Sequence, residues 1–111
     1  MFQKMLQGGN GGSGTPTDSV LLAQGRLEKN KDCIVTLKED IDDFYIDFIC
    51  HIPSVSPPYG LLHVTSGRTE LIDGKDFISS GELSYSKTGK TIKLQQNITS
   101  NNAFFVLLRY I

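Results

Sequence analysis

Apolar and polar residues alternate with a period of two through most of residues 19–111, which is the pattern of half-buried β-strands. The pattern predicts eight strands: Val20–Leu27, Cys33–Glu39, Phe44–Ile52, Tyr59–Thr65, Thr69–Ile72, Glu82–Ser86, Thr91–Gln96 and Ala103–Ile111. Turn-forming residues such as Asp73-Gly74 and Thr88-Gly89 separate them. Many short strands at close spacing predict an all-β fold, an antiparallel β-sandwich with a jelly-roll-like arrangement of seven or eight strands.

Two predicted hairpins can be tested by their register. Around a turn at Ile41-Asp42, outward pairing places apolar residues opposite one another: Leu37 and Ile46, Val35 and Phe48, Cys33 and Cys50. Around the turn Lys87-Thr88-Gly89-Lys90, the same procedure pairs Tyr85 with Ile92 and Leu83 with Leu94. Both registers put the apolar residues on one face, and a one-residue slip scatters them.

The last predicted strand is apolar on both of its faces. The hairpin patterns assign Phe104, Val106, Leu108 and Tyr110 to the inner face, which leaves Phe105, Leu107 and Ile111 on the outer face. An outer face in contact with water should be polar. Two explanations stay open, a strand buried on both sides within one subunit and a subunit interface formed by these outer residues.

The chain divides into a head with a tether, residues 1–18, and a β-domain, residues 19–111. Gly8–Gly14 reads Gly-Gly-Asn-Gly-Gly-Ser-Gly, a composition typical of a flexible linker, native or engineered. Before it, Phe2, Met5 and Leu6 have the spacing of one apolar stripe on a short helix. We expect this stripe to contact a partner or its own domain, with a frayed terminus as the alternative.

Charge and length exclude several functions. The 111 residues carry a net charge of −1, and the basic residues are scattered, so no footprint for nucleic acid is predicted. No apolar run approaches the roughly 18 residues of a membrane span, and Met1–Gln7 lacks the apolar core of a signal peptide. We therefore expect neither nucleic-acid binding nor membrane insertion, and a protein made in the cytoplasm.

Residues with the chemistry of metal sites do not form a recognised pattern. Cys33 and Cys50 are expected as a neighbouring pair of free thiols, with a disulfide left open. These cysteines with His51 and His63 fit no zinc spacing. The acidic residues near the first turn indicate a solvated hairpin, and calcium binding stays an alternative; they are Glu39, Asp40, Asp42, Asp43 and Asp47. No cofactor or metal is predicted.

Catalytic motifs are missing from the sequence. His63 and Ser66, or Asp43 and Asp47, are close in sequence but lack a third supporting group. The sequence therefore predicts a protein that is not an enzyme. Tyr45 and Tyr59 are the best candidates for stacking on a sugar ring, although a structural role is more common for such residues.

The layout as a whole resembles small accessory structural proteins of tailed bacteriophages. The features that carry the resemblance are Met1–Gln7, Gly8–Gly14, the strand pair within Leu27–Ile52, and the apolar end Phe104–Ile111. The resemblance implies a homo-oligomer attached to a capsid, tail or fibre, hence a virion protein. The expected function is a non-enzymatic structural or attachment module that is anchored or swapped through its N-terminal arm. The alternative is a carbohydrate-binding module for a cell-surface glycan.

Overall fold

The computed structural model describes residues 19–110, which form eight β-strands. Their bounds are β1 (Ser19–Leu27), β2 (Cys33–Thr36), β3 (Asp43–Ile49), β4 (Tyr59–Thr65), β5 (Arg68–Gly74), β6 (Leu83–Thr88), β7 (Thr91–Gln96) and β8 (Ala103–Tyr110). They make a five-stranded sheet in the order β1-β8-β3-β4-β5 and a three-stranded sheet in the order β2-β7-β6. All strand pairs are antiparallel. The prediction of an all-β fold of about eight strands is confirmed.

The core lies between the two sheets. The five-stranded sheet contributes Phe44, Ile46 and Phe48 of β3, and the three-stranded sheet contributes Leu83, Ile92 and Leu94, all of them buried. The loop between β5 and β6 adds Phe77, whose ring meets that of Phe48 edge-on with centroids 4.9 Å apart. Within residues 19–110, no helix is long and apolar enough to span a membrane.

The predicted hairpin of the second and third strands is wrong. β2 pairs with β7, so that Cys33 lies opposite Leu94, whereas β3 lies between β4 and β8 in the other sheet. The chain crosses between sheets over residues 37–42: the Leu37 amide donates to the Lys90 carbonyl, and the Asp42 carbonyl accepts from the Ser66 amide. The apolar residues of both strands still share one core, because they face each other across the sheets rather than along one sheet.

The β6–β7 hairpin is confirmed with a register that differs by two residues. Thr88 lies opposite Thr91, and Tyr85 opposite Leu94 rather than Ile92. The turn therefore has two residues, and its first, Gly89, has a φ of 58°, which suits the tight turns of twisted hairpins. A two-residue shift keeps every side chain on its predicted face.

The faces predicted for the last strand are reversed. Phe105 and Leu107 of β8 belong to the core between the sheets. Phe104, Val106 and Leu108 alternate with them and therefore lie on the outer face. Both faces of this strand are apolar, so its pattern gave no sign of which face was inward.

Candidate interaction face

The outer face of the five-stranded sheet is apolar and aromatic at its centre. Because Phe44, Ile46 and Phe48 point into the core, the alternating residues Tyr45, Asp47 and Ile49 point outward. The register extends this outer row onto the neighbouring strands, where Tyr45 lies between His63 and Leu108, Asp47 between Leu61 and Val106, and Ile49 between Tyr59 and Phe104. An outer face in contact with water should be polar, so this one is built for a contact.

Asp47 is the unusual residue of this face. It is fully buried, and neither carboxylate oxygen has a hydrogen-bond partner among the described residues. Burial, the largest cause, raises its pKa to about 6. A buried carboxylate without a partner is costly. It therefore marks a place where a complementary group belongs.

The same face carries an aromatic cluster with a carboxylate. The rings of Tyr45 and His63 stack with centroids 4.4 Å apart and planes 11° apart. His63 Nε2 lies 2.6 Å from the Asp43 carboxylate and 3.0 Å from the Thr65 hydroxyl. Burial, with the charges of Asp43 and Glu70, raises the pKa of Tyr45, so this phenol stays protonated at neutral pH.

The two tyrosines predicted for glycan contact share this face but do not form one platform. Tyr45 and Tyr59 both point outward, at opposite ends of the β3–β4 pair. Four residues along the strands separate their levels, about 13 Å at 3.3 Å per residue. Both side chains are half-buried, and Asp47 with Leu61 lies between them.

The acidic residues of the predicted first turn are divided among different partners. The Lys87 ammonium lies 2.5 Å from an oxygen of Asp40 and 3.0 Å from one of Asp42, while Asp43 binds His63. Asp47 is separate, at the centre of the outer face. Among residues 19–110, no three side chains of His, Cys, Asp or Glu are grouped as metal ligands.

The cysteines are free thiols in the structure. Cys50 is buried just after β3, and its thiol donates to the Pro58 carbonyl at 3.3 Å, whereas Cys33 is half-buried on β2. Both contact the same core. Burial raises the pKa of both thiols.

Some predicted interface residues cannot be placed. Phe2, Met5, Leu6 and Ile111 lie outside the described residues. Phe105 and Leu107 are enclosed in the core. A subunit interface stays a prediction, and it would involve the outer-face residues instead. The sequence analysis grouped Asp47 with the acidic residues of the first turn and did not predict its burial on the outer face. Its signal was a single acidic position between the outward-facing Tyr45 and Ile49 of an otherwise apolar strand.

Comparison with known proteins gives one structural likeness. No protein-family model matches the chain, and no curated protein matches it. A search of solved structures finds the crystal structure of the tailspike protein gp49 from Acinetobacter baumannii bacteriophage Fri1, a capsular polysaccharide depolymerase. The TM-score is 0.45 at 20% sequence identity, over 85% of this chain and 17% of that one. The chain thus corresponds to about a sixth of the tailspike's length.

The prediction that the chain is not an enzyme is corrected by this finding. The tailspike to which it is similar is a capsular polysaccharide depolymerase, which is an enzyme. The sequence-based exclusion rested on missing nucleophile and metal motifs, and those motifs do not cover every hydrolytic or lytic chemistry. Paired carboxylates on a β-scaffold need no such motif, for example.

Proposed function

We propose that the chain is a structural or attachment module of a phage-like virion, acting as a homo-oligomer whose contact surface is the five-stranded sheet. The resemblance in layout to phage structural proteins supports the virion role, and one structural observation supports the contact surface. Among residues 19–110, five of the six exposed large apolar side chains lie on that sheet: Val20, Leu21, Leu71, Ile72 and Phe104. Apolar surface concentrated on one part of a protein favours a contact there, since its burial is favourable by about 25 cal/mol per Å².

These residues form two groups, one at each edge of the sheet. Val20 and Leu21 lie on β1, with Phe104 on the adjacent β8, while Leu71 and Ile72 lie on β5. Edge strands also offer unpaired backbone groups to a neighbouring chain. An assembly that covers both edges satisfies the backbone and the side chains together.

Sedimentation velocity of edge variants tests this surface. The double variants Leu21→Ser/Phe104→Ser and Leu71→Ser/Ile72→Ser remove apolar surface without touching the core, and at least one should dissociate the assembly into folded subunits. Ile34→Ser is the matched control, because Ile34 is 65% exposed on the three-stranded sheet. This control variant should have the same sedimentation coefficient as the wild type. If all three variants sedimented like the wild type, the five-stranded sheet would not be the contact surface.

The Tyr45–His63 stack favours a second candidate, glycan binding. The stacked aromatic pair beside the exposed Asp43 carboxylate offers aromatic ring surface and a hydrogen-bond acceptor to a sugar. Titration with a bacterial capsular oligosaccharide, followed by NMR, tests it. Shifts confined to the Tyr45 region and lost in Tyr45→Ala support this candidate, while an absence of shifts at millimolar sugar ends it.

A further inference from the structure

The centre of the outer face is buried although no strand of residues 19–110 lies over it. Asp47, Leu61, Val106 and Leu108 are each at most 5% exposed. The long loops pack elsewhere: Ile52 and Val55 of the β3–β4 loop, and Phe77 and Ile78 of the β5–β6 loop, contact the core between the sheets. The cover of this central patch therefore has to come from outside the two described sheets and these loops.

The chemistry of the patch defines what can cover it. Leu61, Val106 and Leu108 need apolar side chains above them. The Asp47 carboxylate, whose two oxygens have no partner among residues 19–110, needs a single cation or hydrogen-bond donor in their midst. A purely apolar cover leaves the carboxylate unpaired, and a strongly charged cover does not match the leucines. The occupant should be a short apolar segment that carries one positive charge.

We propose that the occupant is the chain's own segment Met1–Gln7, with Phe2, Met5 and Leu6 on the apolar residues and the Lys4 ammonium beside Asp47. The composition matches the patch: three large apolar residues flank Lys4 in the sequence, and Lys4 carries the only cationic side chain among positions 1–18. The inference deepens the proposed function and rests on it in one respect, since the covered patch lies between the two edges assigned to assembly.

The length of the intervening chain fits this docking. Ser19 begins β1, two strands from β3, which is about 10 Å across the sheet. Ser19 lies opposite Tyr110, two residues beyond the Leu108–Tyr45 pair, so that Asp47 is four residues further along β3, about 13 Å. The direct distance from Ser19 to Asp47 is therefore roughly 16 Å. Eleven residues, 8–18, connect the segment to β1, and a glycine-rich chain of that length has a typical span of about 18 Å.

A linker whose typical span matches the distance gives its own segment a millimolar effective concentration. At micromolar protein concentration, the segment of a second copy cannot compete with it. The match of length therefore favours the segment of the same chain over that of a neighbour. The five glycines of Gly8–Gly14 suit such a linker.

The titration of Asp47, followed by NMR in the full chain, tests the proposal. Removing only the cation, in Lys4→Met, should raise the pKa of Asp47 by about 1 unit or more, because the apolar cover remains. Deleting residues 1–7 should lower it toward the ordinary value of about 3.9, because water reaches the carboxylate. Lys29→Met, a change at an exposed lysine beyond the sheet, is the control and should leave the pKa unchanged.

The outcomes separate this inference from the proposed function. An unchanged Asp47 pKa in both Lys4→Met and the deletion would overturn the docking, whatever the oligomeric state. A shift that depends on protein concentration between 50 and 500 µM would overturn the assignment to the same chain, because a neighbour's segment then supplies the cover. A rise of the Asp47 pKa in Lys4→Met together with a fall in the deletion, in a chain that sediments as a monomer, would support the docking while ending the proposed assembly.

Discussion

At the scale of single residues, Asp47 has the most unusual environment. Its carboxylate is enclosed by the apolar outer face and has no hydrogen-bond partner among residues 19–110. A residue that raises the energy of the folded state is retained in natural proteins where it serves a contact or a reaction. In this chain the surrounding leucine and valine side chains favour a contact.

The pKa of Asp47 predicts how stability depends on pH. Burial raises its pKa in the folded state to about 6, above the value of about 3.9 for an unfolded aspartate. The folded state thus holds a proton that the unfolded state has lost, and the free energy of unfolding falls as the pH rises from about 4 to about 6. Two units of pKa correspond to roughly 2–3 kcal/mol.

Urea unfolding of Asp47→Asn and the wild type measures this effect as a difference. The variant should gain about 2 kcal/mol relative to the wild type between pH 4.5 and pH 7.5, because only the wild type ionises there. Glu39→Gln, at an exposed position, is the control and should show no such gain. Parallel pH profiles for Asp47→Asn and the wild type would refute the burial of the charge.

A second residue-scale prediction concerns Gly60, which lies opposite Gly74 in the β4–β5 pair. A Cβ atom added at position 60 would lie 2.1 Å from the Lys75 carbonyl oxygen and 3.1 Å from the Phe77 ring. The backbone cannot yield as a side chain does, so Gly60→Ala should destabilise the fold by about 2 kcal/mol or more. Thermal unfolding measures this loss, and a melting temperature equal to that of the wild type would contradict the close approach.

At the scale of elements, turn chemistry and periodicity were reliable and strand pairing was not. The β6–β7 hairpin could be predicted because Gly89 supplies the positive φ of a tight turn. The β2–β3 pairing could not, because alternation fixes which face of a strand is buried but not which strand lies beside it. The ion pairs of Lys87 with Asp40 and Asp42 that hold the crossing between sheets depend on residues 45 and more positions apart.

The placement of the cysteine-bearing elements predicts unequal thiol reactivity. Cys50 is buried beyond the end of β3, and Cys33 is half-buried on the edge strand β2. Because the thiolate is the reactive form and burial raises both pKa values, Cys33 should react slowly with a disulfide reagent at pH 7.5, and Cys50 hardly at all. Cys33→Ser separates the two. Two fast thiols in the native wild type would contradict the positions of both elements.

At the scale of the whole molecule, a compact pair of sheets presents a five-stranded face whose centre is covered and whose edges are apolar. The fold class followed from the sequence because eight alternating segments leave few other architectures. The candidate face could not be predicted from the sequence, because it depends on which side of β8 turns inward. Both sides of Phe104–Leu108 are apolar. We propose that neighbouring subunits cover the edges of this face and that the N-terminal segment covers its centre.

The mass of the wild-type protein in solution tests whether the chain forms a homo-oligomer, on which the proposed contact surface depends. Sedimentation equilibrium of the full chain at 1–100 µM measures it without any substitution. We expect a discrete multiple of the 12.3 kDa chain mass, since a neighbouring subunit would bury the exposed apolar side chains at the two sheet edges. A single species of 12.3 kDa across that range would contradict the homo-oligomer and leave glycan binding at Tyr45 and His63 as the stronger candidate.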